Sequence, residues 1–271
     1  MADGRPKWLD NKIRGILLDI SGVLYNSGQG GGTVIPGSVD AVQRLKSSGL
    51  NVRFCTNETQ CTREELVAKL NKFGYKLLSS ELFAPAPATR FILEKRNLRP
   101  HLLIHPGGRP DFDGINCNDP NCVVIGDAAQ EFYYENMNKA FRALLEMKDP
   151  ILFSMGYGKY YKTDGELVLD VGPFTKALEY ACDVKAEIVG KPSKTFFMTA
   201  LEAMGVSTEE ALMIGDDILN DVGGAQACGI RGVQVRTGKF RISDENHPTV
   251  KPDAFVDNLA QAVDLILKYN T

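Results

Sequence analysis

Several things are scarce in this chain, and each scarcity excludes a class of protein. No apolar run approaches the ~18 residues that a membrane-spanning helix needs. The start, MADGRPKWLDNK, is polar and holds no apolar signal region. Only three histidines occur in 271 residues. The six cysteines (Cys55, Cys61, Cys117, Cys122, Cys182 and Cys228) are scattered without a C-x-x-C pair. A structural zinc ion takes four clustered soft ligands, so a zinc scaffold is excluded. Without a secretion signal the thiols are expected to be reduced, and Asn57-Glu58-Thr59 is a glycosylation sequon in spelling only. Formal net charge is −3 and no lysine-arginine stripe stands out, so electrostatics imply no nucleic-acid partner. The glycine run 28–32 (GQGGG) is followed by no G-K-[S/T] and opens no helix, which excludes a nucleotide-cradling loop. It reads as a flap or hinge beside a site. A cytosolic enzyme is the expectation that remains.

What is present is alternation of strand and helix patterns. The run Ile16-Leu17-Leu18 belongs to a first strand over 13–20 and ends in an acid, Asp19, with Ser21 and Gly22 at once behind it. A continuous apolar run of that length reads as a strand buried on both faces. Ser38 is placed to cap a helix carrying Val39, Val42 and Leu45, with Gly49 as its stop. Strand 51–55 (NVRFC) delivers Thr56-Asn57-Glu58. Thr62 and Glu65 have capping-box spacing before a helix with Leu66, Leu70 and Phe73 on one face. Between about 85 and 185 the texture changes. Pro85 and Pro87 punctuate the chain and further prolines recur, short strands are expected at 101–105, 122–125 and 151–155, and a helix over 134–147 should bury Met137, Phe141, Leu144 and Leu145. The first pattern resumes with strand 186–189, Gly190-Lys191-Pro192, a helix capped by Ser193, and strand 211–214 ending in Gly215-Asp216-Asp217. A short helix, strand 232–236 and a last helix from Asp257 complete the chain. The predicted fold class is α/β: a Rossmann-like parallel sheet with helices on both faces, built from 1–84 and 186–271, plus an inserted α/β cap domain over 85–185.

Four strand ends carry polar groups that converge if the strands are neighbours: Asp19 with Ser21, Thr56-Asn57, Lys191, and Asp216-Asp217 with Asp221. Ligands of open α/β sheets bind beyond the carboxyl ends of the strands. Two carboxylates suit a hard cation such as Mg²⁺. A lysine with a hydroxyl-amide pair suits the oxygens of a phosphoryl group.

The order D-x-S-G-V-L-Y, T-N-E, G-K-P, G-D-D-x-x-x-D resembles the haloacid dehalogenase superfamily of phosphohydrolases over essentially the whole chain, and the insertion resembles its large-cap branch, which includes pyridoxal and phosphoglycolate phosphatases. The resemblance implies a nucleophile, Asp19, that forms an aspartyl-phosphate. It implies Mg²⁺ held by the side chains of Asp19 and Asp216 and the backbone carbonyl of Ser21. Thr56 through its hydroxyl, Asn57 through its backbone amide and Lys191 would hold the phosphoryl group. Asp217 and Asp221 would orient Lys191 or metal-bound water, unless they are a helix cap and a solvated acid. By analogy it implies a homodimer acting in the cytoplasm, and also the nucleus, on small phosphorylated substrates, with phosphohistidine on proteins as a further substrate.

One position departs from the family pattern. Most phosphatases of the superfamily carry aspartate two residues after the nucleophile, as acid and then base; here the residue is Ser21. General acid–base help contributes roughly 10²–10⁴-fold, or about 3–5 kcal/mol of barrier. Esters that leave as basic alkoxides should suffer most. Imidazole and phosphate, with pKa values of about 6.5 and 6, leave without help. Ser21 therefore argues for P–N and P–O–P bonds over phosphomonoesters, and the resemblance implies phospholysine, phosphohistidine, imidodiphosphate and inorganic pyrophosphate as the substrates. A broad phosphomonoesterase is the alternative enzyme, and a non-catalytic binding protein the alternative outside enzymes. Val123–Asp127 repeats the strand-then-acid pattern inside the insertion but has no second acid four residues on, and is read as structural. His101, His105 and His247 are too few for a metal site. The segment Asp170–Phe174 is expected to face the site, and Tyr157, Tyr160 and Tyr161 to be packing or dimer contacts.

Overall fold

The computed structural model describes residues 5–270; Met1–Gly4 of the polar start and Thr271 lie outside it. The chain opens with β1 (Gly15–Asp19), a small antiparallel hairpin of β2 (Tyr25–Asn26) and β3 (Thr33–Val34), α1 (Ser38–Ser47), β4 (Asn51–Cys55), α2 (Arg63–Lys72) and β5 (Leu82–Phe83). The insertion holds α3 (Pro85–Lys95), β6 (Pro100–Leu103), β7 (Cys122–Ile125), α4 (Tyr134–Glu146), β8 (Leu152–Ser154), the pair β9 (Tyr160–Thr163) and β10 (Glu166–Leu169), α5 (Val171–Cys182) and β11 (Glu187–Ile188). The chain closes with α6 (Lys194–Met204), β12 (Ala211–Gly215), α7 (Gly224–Gln226), β13 (Arg231–Val235), β14 (Ala254–Val256) and α8 (Leu259–Tyr269).

The main sheet has the order β14-β13-β12-β1-β4-β5, and its pairs are all parallel. Side chains of a strand alternate between its faces. Ile16 and Leu18 therefore join Leu212 and Ile214 against α1, α2 and α8, while Leu17 and Met213 meet Phe197, Leu201 and Met204 of α6 on the other face. That double cover is why these strands read as unbroken apolar runs. β1 lies at the turning point of the order: the chain leaves it for β4 and β5 on one side and returns to β12, β13 and β14 on the other. The crevice at such a reversal is where a ligand site forms.

A second parallel sheet, β11-β8-β7-β6, forms the cap with α4 and α5 packed on it. Here the topology corrects the reading of strand 186–189 as part of the core. Glu187 and Ile188 pair with Phe153 and Ser154 of β8, so we draw the boundary after β11 rather than at 186. Two residues are too few for periodicity to tell one sheet from another.

Other local expectations fare unevenly. The capping box holds: Thr62 accepts from the Glu65 amide and Glu65 from the Thr62 amide. Ser38 is not the cap of α1. Gly37 is, and Ser38 is buried inside, its hydroxyl bonded to the Leu24 and Ile35 carbonyls and the Tyr75 hydroxyl. Leu145 is exposed, and Ala140 and Leu144 are the buried residues of α4. Pro85 and Pro87 do not punctuate a loop. They sit in the first turn of α3, where no helical amide bond is lost.

Candidate active site

Strand register brings the predicted residues together. Asp19 lies level with Cys55 across the β1–β4 pair, and Leu18 level with Ile214 across β1–β12. Thr56 and Asp216, each just beyond its strand, thus flank Asp19. The Lys191 ammonium reaches in from the segment after β11 and donates to Asp19 Oδ1 at 2.5 Å, Asp221 Oδ1 at 2.7 Å and the Cys55 carbonyl at 3.0 Å. Burial alone would lower the Lys191 pKa, but the two carboxylates outweigh it and hold the pKa above the ordinary lysine value. Lys191 is therefore a fixed cation beside Asp19.

Asn57 has a role that sequence alone did not suggest. Its side chain donates to the Lys191 carbonyl at 2.9 Å and accepts from the Lys191 amide at 2.8 Å, locking the backbone that carries the ammonium. Thr56 Oγ1 accepts from the Glu58 amide at 3.0 Å, which leaves its own proton free to donate toward the cavity. Ser21 also lines that cavity.

The two later acids separate. Asp221 bonds Lys191 with one oxygen and the Asp217 amide with the other, at 3.1 Å. Asp217 does not reach Lys191. Its Oδ1 caps a wide π-type turn, Ile218–Gly223, by accepting from Leu219 N and Asn220 N, and its Oδ2 accepts from Lys239 Nζ at 3.0 Å. Burial would raise the Asp217 pKa, but Lys239 and these amides hold it well below the carboxylate range. Of the alternatives for Asp217, the structure supports the helix cap.

Asp216 is unlike its neighbours. Oδ2 accepts from the Lys239 amide at 2.8 Å, while Oδ1 is buried with no partner among the described residues. Burial pushes its pKa well above the ordinary value. Oxygens of Asp19, Asp216 and Asp221 lie within 4.8 Å of one another. With both Asp221 oxygens bonded, Asp19 and Asp216 are the pair free to take a cation. A hard divalent ion would supply the partner that Asp216 Oδ1 lacks and favour its ionised form. The space is reserved as well. A Cβ on Gly22 (φ +85°) or Gly238 (φ +63°) would stand 2.0 Å from Asp216 Oδ2, so only glycine fits at either position.

Above this floor the cap completes a cavity of about 290 Å³. The GQGGG loop between β2 and β3 lies beside the site, as expected: Gly28 lines the cavity, and the Gln29 amide donates to Asp164 Oδ1 at 2.7 Å, in the turn between β9 and β10. Among the other lining residues, Gln60 and Lys239 were missed, and Asp127 and Tyr161 were set aside as structural. Asp127 did carry a signal, the same strand-then-acid pattern as Asp19. It ends β7 and accepts from Gln60 Nε2 at 2.7 Å, across the boundary between core and cap. Asp170, in the segment expected to face the site, caps α5 and lines the cavity. His105 is structural, its ring nitrogen accepting from the Gly107 amide.

A carboxylate at the switch point of a parallel sheet, a buried lysine beside it and a cap above it define a class of hydrolase. The family model for haloacid dehalogenase-like hydrolases matches residues 16–146, and a second HAD-hydrolase-like model matches 188–262. The chain belongs to the haloacid dehalogenase-like hydrolases and is an enzyme of that family. More particularly, it is 61% identical over 257 residues to the phospholysine phosphohistidine inorganic pyrophosphate phosphatase of Homo sapiens, covering 95% of each chain. It is 58% identical over 266 residues to the protein of the same name from Danio rerio, covering 98% of each. Among solved structures, a 4-nitrophenylphosphatase from Thermotoga maritima superposes with a TM-score of 0.83 at 26% identity, over 95% of this chain and 98% of that one.

Proposed function

We propose that this enzyme is a Mg²⁺-dependent phosphatase that cleaves P–N bonds and inorganic pyrophosphate through an aspartyl-phosphate on Asp19. One observation carries the reading: the cavity presents Asp19 as a nucleophile with a serine, Ser21, two residues on in place of an acid. The names of the relatives above support it from an independent side.

The geometry supports a division of labour. With Oδ1 held by Lys191, Asp19 Oδ2 makes no hydrogen bond among the described residues. A carboxylate oxygen of Asp19 forms the new bond to phosphorus as the P–N or P–O bond breaks. The leaving nitrogen departs with its own proton, and phosphate departs as an anion, so neither needs Ser21. Water then attacks phosphorus, the bond between phosphorus and the Asp19 oxygen breaks to free the carboxylate, and the water's proton leaves with the product phosphate. Lys191, the Thr56 hydroxyl and the Asn57 amide hold the equatorial oxygens as charge builds on them. Asp19, Asp216 and the Ser21 carbonyl would hold Mg²⁺, which when bound neutralises phosphoryl charge. Asp221 and the Asn57 side chain keep Lys191 in place. In this reading the protein is a homodimer of the cytoplasm and nucleus. Light scattering and cell fractionation check those two points.

A broad phosphomonoesterase is the second reading, favoured by the likeness to the 4-nitrophenylphosphatase structure; Ser21 weighs against it. A phosphate-release panel of pyrophosphate, phospholysine, phosphohistidine and 4-nitrophenyl phosphate, with Mg²⁺ and after chelation, separates the two. Asp19→Asn should lower turnover on every substrate by about 10³-fold or more, as removal of a nucleophile does. Turnover near wild type would place the nucleophile elsewhere.

A further inference from the structure

Three carboxylates that the phosphoryl-binding set does not use, Glu58, Asp127 and Asp170, line the cavity, and none of them forms an ion pair among the described residues. Glu58 Oε1 accepts from the Gln60 amide at 2.7 Å. Asp127 accepts from Gln60 Nε2 at 2.7 Å and from the Ala129 amide at 3.1 Å. Asp170 accepts from the Val171 amide at 2.6 Å. Every one of these donors is neutral. The floor differs, since Asp19 and Asp221 share Lys191 and Asp217 pairs with Lys239. The cavity's remaining cations are engaged or turned outward. Lys239 acts on Asp170 through space, but its ammonium bonds Asp217 and the Tyr160 carbonyl. Lys69 sits on the Tyr25 ring at the flap, and Lys162 is exposed.

Half-buried carboxylates without a counter-ion cost stability. A metal ion is not what offsets that cost. Among the described residues the acids whose ligand atoms gather within 4.8 Å are Asp19, Asp216 and Asp221, and none of the three wall acids joins such a group. Acids spread along a wall and bonded only to neutral donors leave a negative potential across the cavity, which favours an organic cation such as the ammonium of an alkylamine or a protonated imidazole. Asp127 and Asp170 belong to the cap, and Glu58 to the core loop after Thr56-Asn57. All three line the one cavity that also holds Asp19, Thr56 and Lys191, so a leaving group attached to a phosphoryl group bound there would share that cavity with them.

We propose that Glu58, Asp127 and Asp170 are specificity-determining residues: they select substrates whose leaving group carries positive charge and discriminate against those whose leaving group is anionic. The inference rests on the hydrolytic reading of Asp19 and deepens it. Cationic phosphoramidates become the preferred class, and pyrophosphate, which presents a second phosphate to this wall, becomes the disfavoured one.

The test compares wild type with Glu58→Gln, Asp127→Asn and Asp170→Asn, each of which removes charge but keeps an acceptor oxygen. Rates are measured on phospholysine and pyrophosphate, and on an ester pair of opposite charge, phosphoethanolamine and phosphoglycolate. Each variant should lose about 3–10-fold in kcat/KM on phospholysine, the effect of one charge at partly solvated range. Pyrophosphate should hold or improve, and the ester pair should shift in the same sense. Equal losses on both members of a pair would mark the acids as structural, and unchanged ratios would overturn the proposal. Failure of the P–N reading is distinguishable: wild type would then spare phospholysine and pyrophosphate while the ester pair still reports on the wall.

Discussion

Asp216 Oδ1, buried and without a partner among the described residues, is the observation on which the proposed cation site rests. Mg²⁺ should raise the Tm of wild type, and Asp216→Asn should abolish the rise; a rise that survives the substitution would contradict the assignment. Gly22 guards the same carboxylate. Its φ of +85° and the 2.0 Å approach of Asp216 Oδ2 leave no room for a methyl group, so Gly22→Ala should destabilise the protein by about 1–3 kcal/mol in denaturant unfolding. Asp170 gives a pH signature. Burial raises its pKa from 3.8 to about 6. A carboxyl raised in this way contributes stability that is full below the unfolded pKa and is lost as pH rises through about 6. Asp170→Asn still caps α5 and removes that loss, so its Tm relative to wild type should be higher at pH 7.5 than at pH 4. An offset that does not change with pH would argue against a buried, unpaired carboxylate. At this scale the sequence disclosed Asp19, Thr56, Lys191 and Asp216, because each follows a strand or a recognisable motif. It did not disclose Lys239, whose importance comes from a loop folding back onto Asp216 and Asp217.

Among the elements, legibility followed length. β1 and β12 were readable from their buried apolar runs, Ile16–Leu18 and Ala211–Ile214, and β4 from the alternation of Val52 and Phe54 with polar neighbours. β5, β11 and β14, at two or three residues, were missed or assigned to the wrong sheet, since only their neighbours define them. Helix α3 was hidden by Pro85 and Pro87, which look like breakers but act as first-turn residues. Helix α2 was found from its capping box. Thr62→Ala should cost about 1 kcal/mol of stability, read as a lower urea midpoint with unchanged slope; an unchanged midpoint would mean the box is not formed in solution.

For the molecule as a whole, the pattern of strands and helices was enough to see a core interrupted by an insertion. What stayed hidden was how the insertion meets the core. Asp127 was set aside because the cap repeats the core's strand-then-acid pattern without a second acid, and only the tertiary contact with Gln60 brings it to the cavity. Core and cap thus line one cavity; in the proposed function the core floor holds the phosphoryl group and the cap faces the leaving group, with Ser21 where an acid would serve ester hydrolysis. The central claim, that this serine sets which bonds are broken, is tested most directly by Ser21→Asp, with kcat/KM measured on 4-nitrophenyl phosphate and on pyrophosphate. The account predicts that the ester-to-pyrophosphate ratio rises by about 10²-fold or more, the contribution of general acid–base catalysis; a ratio equal to that of wild type would contradict it.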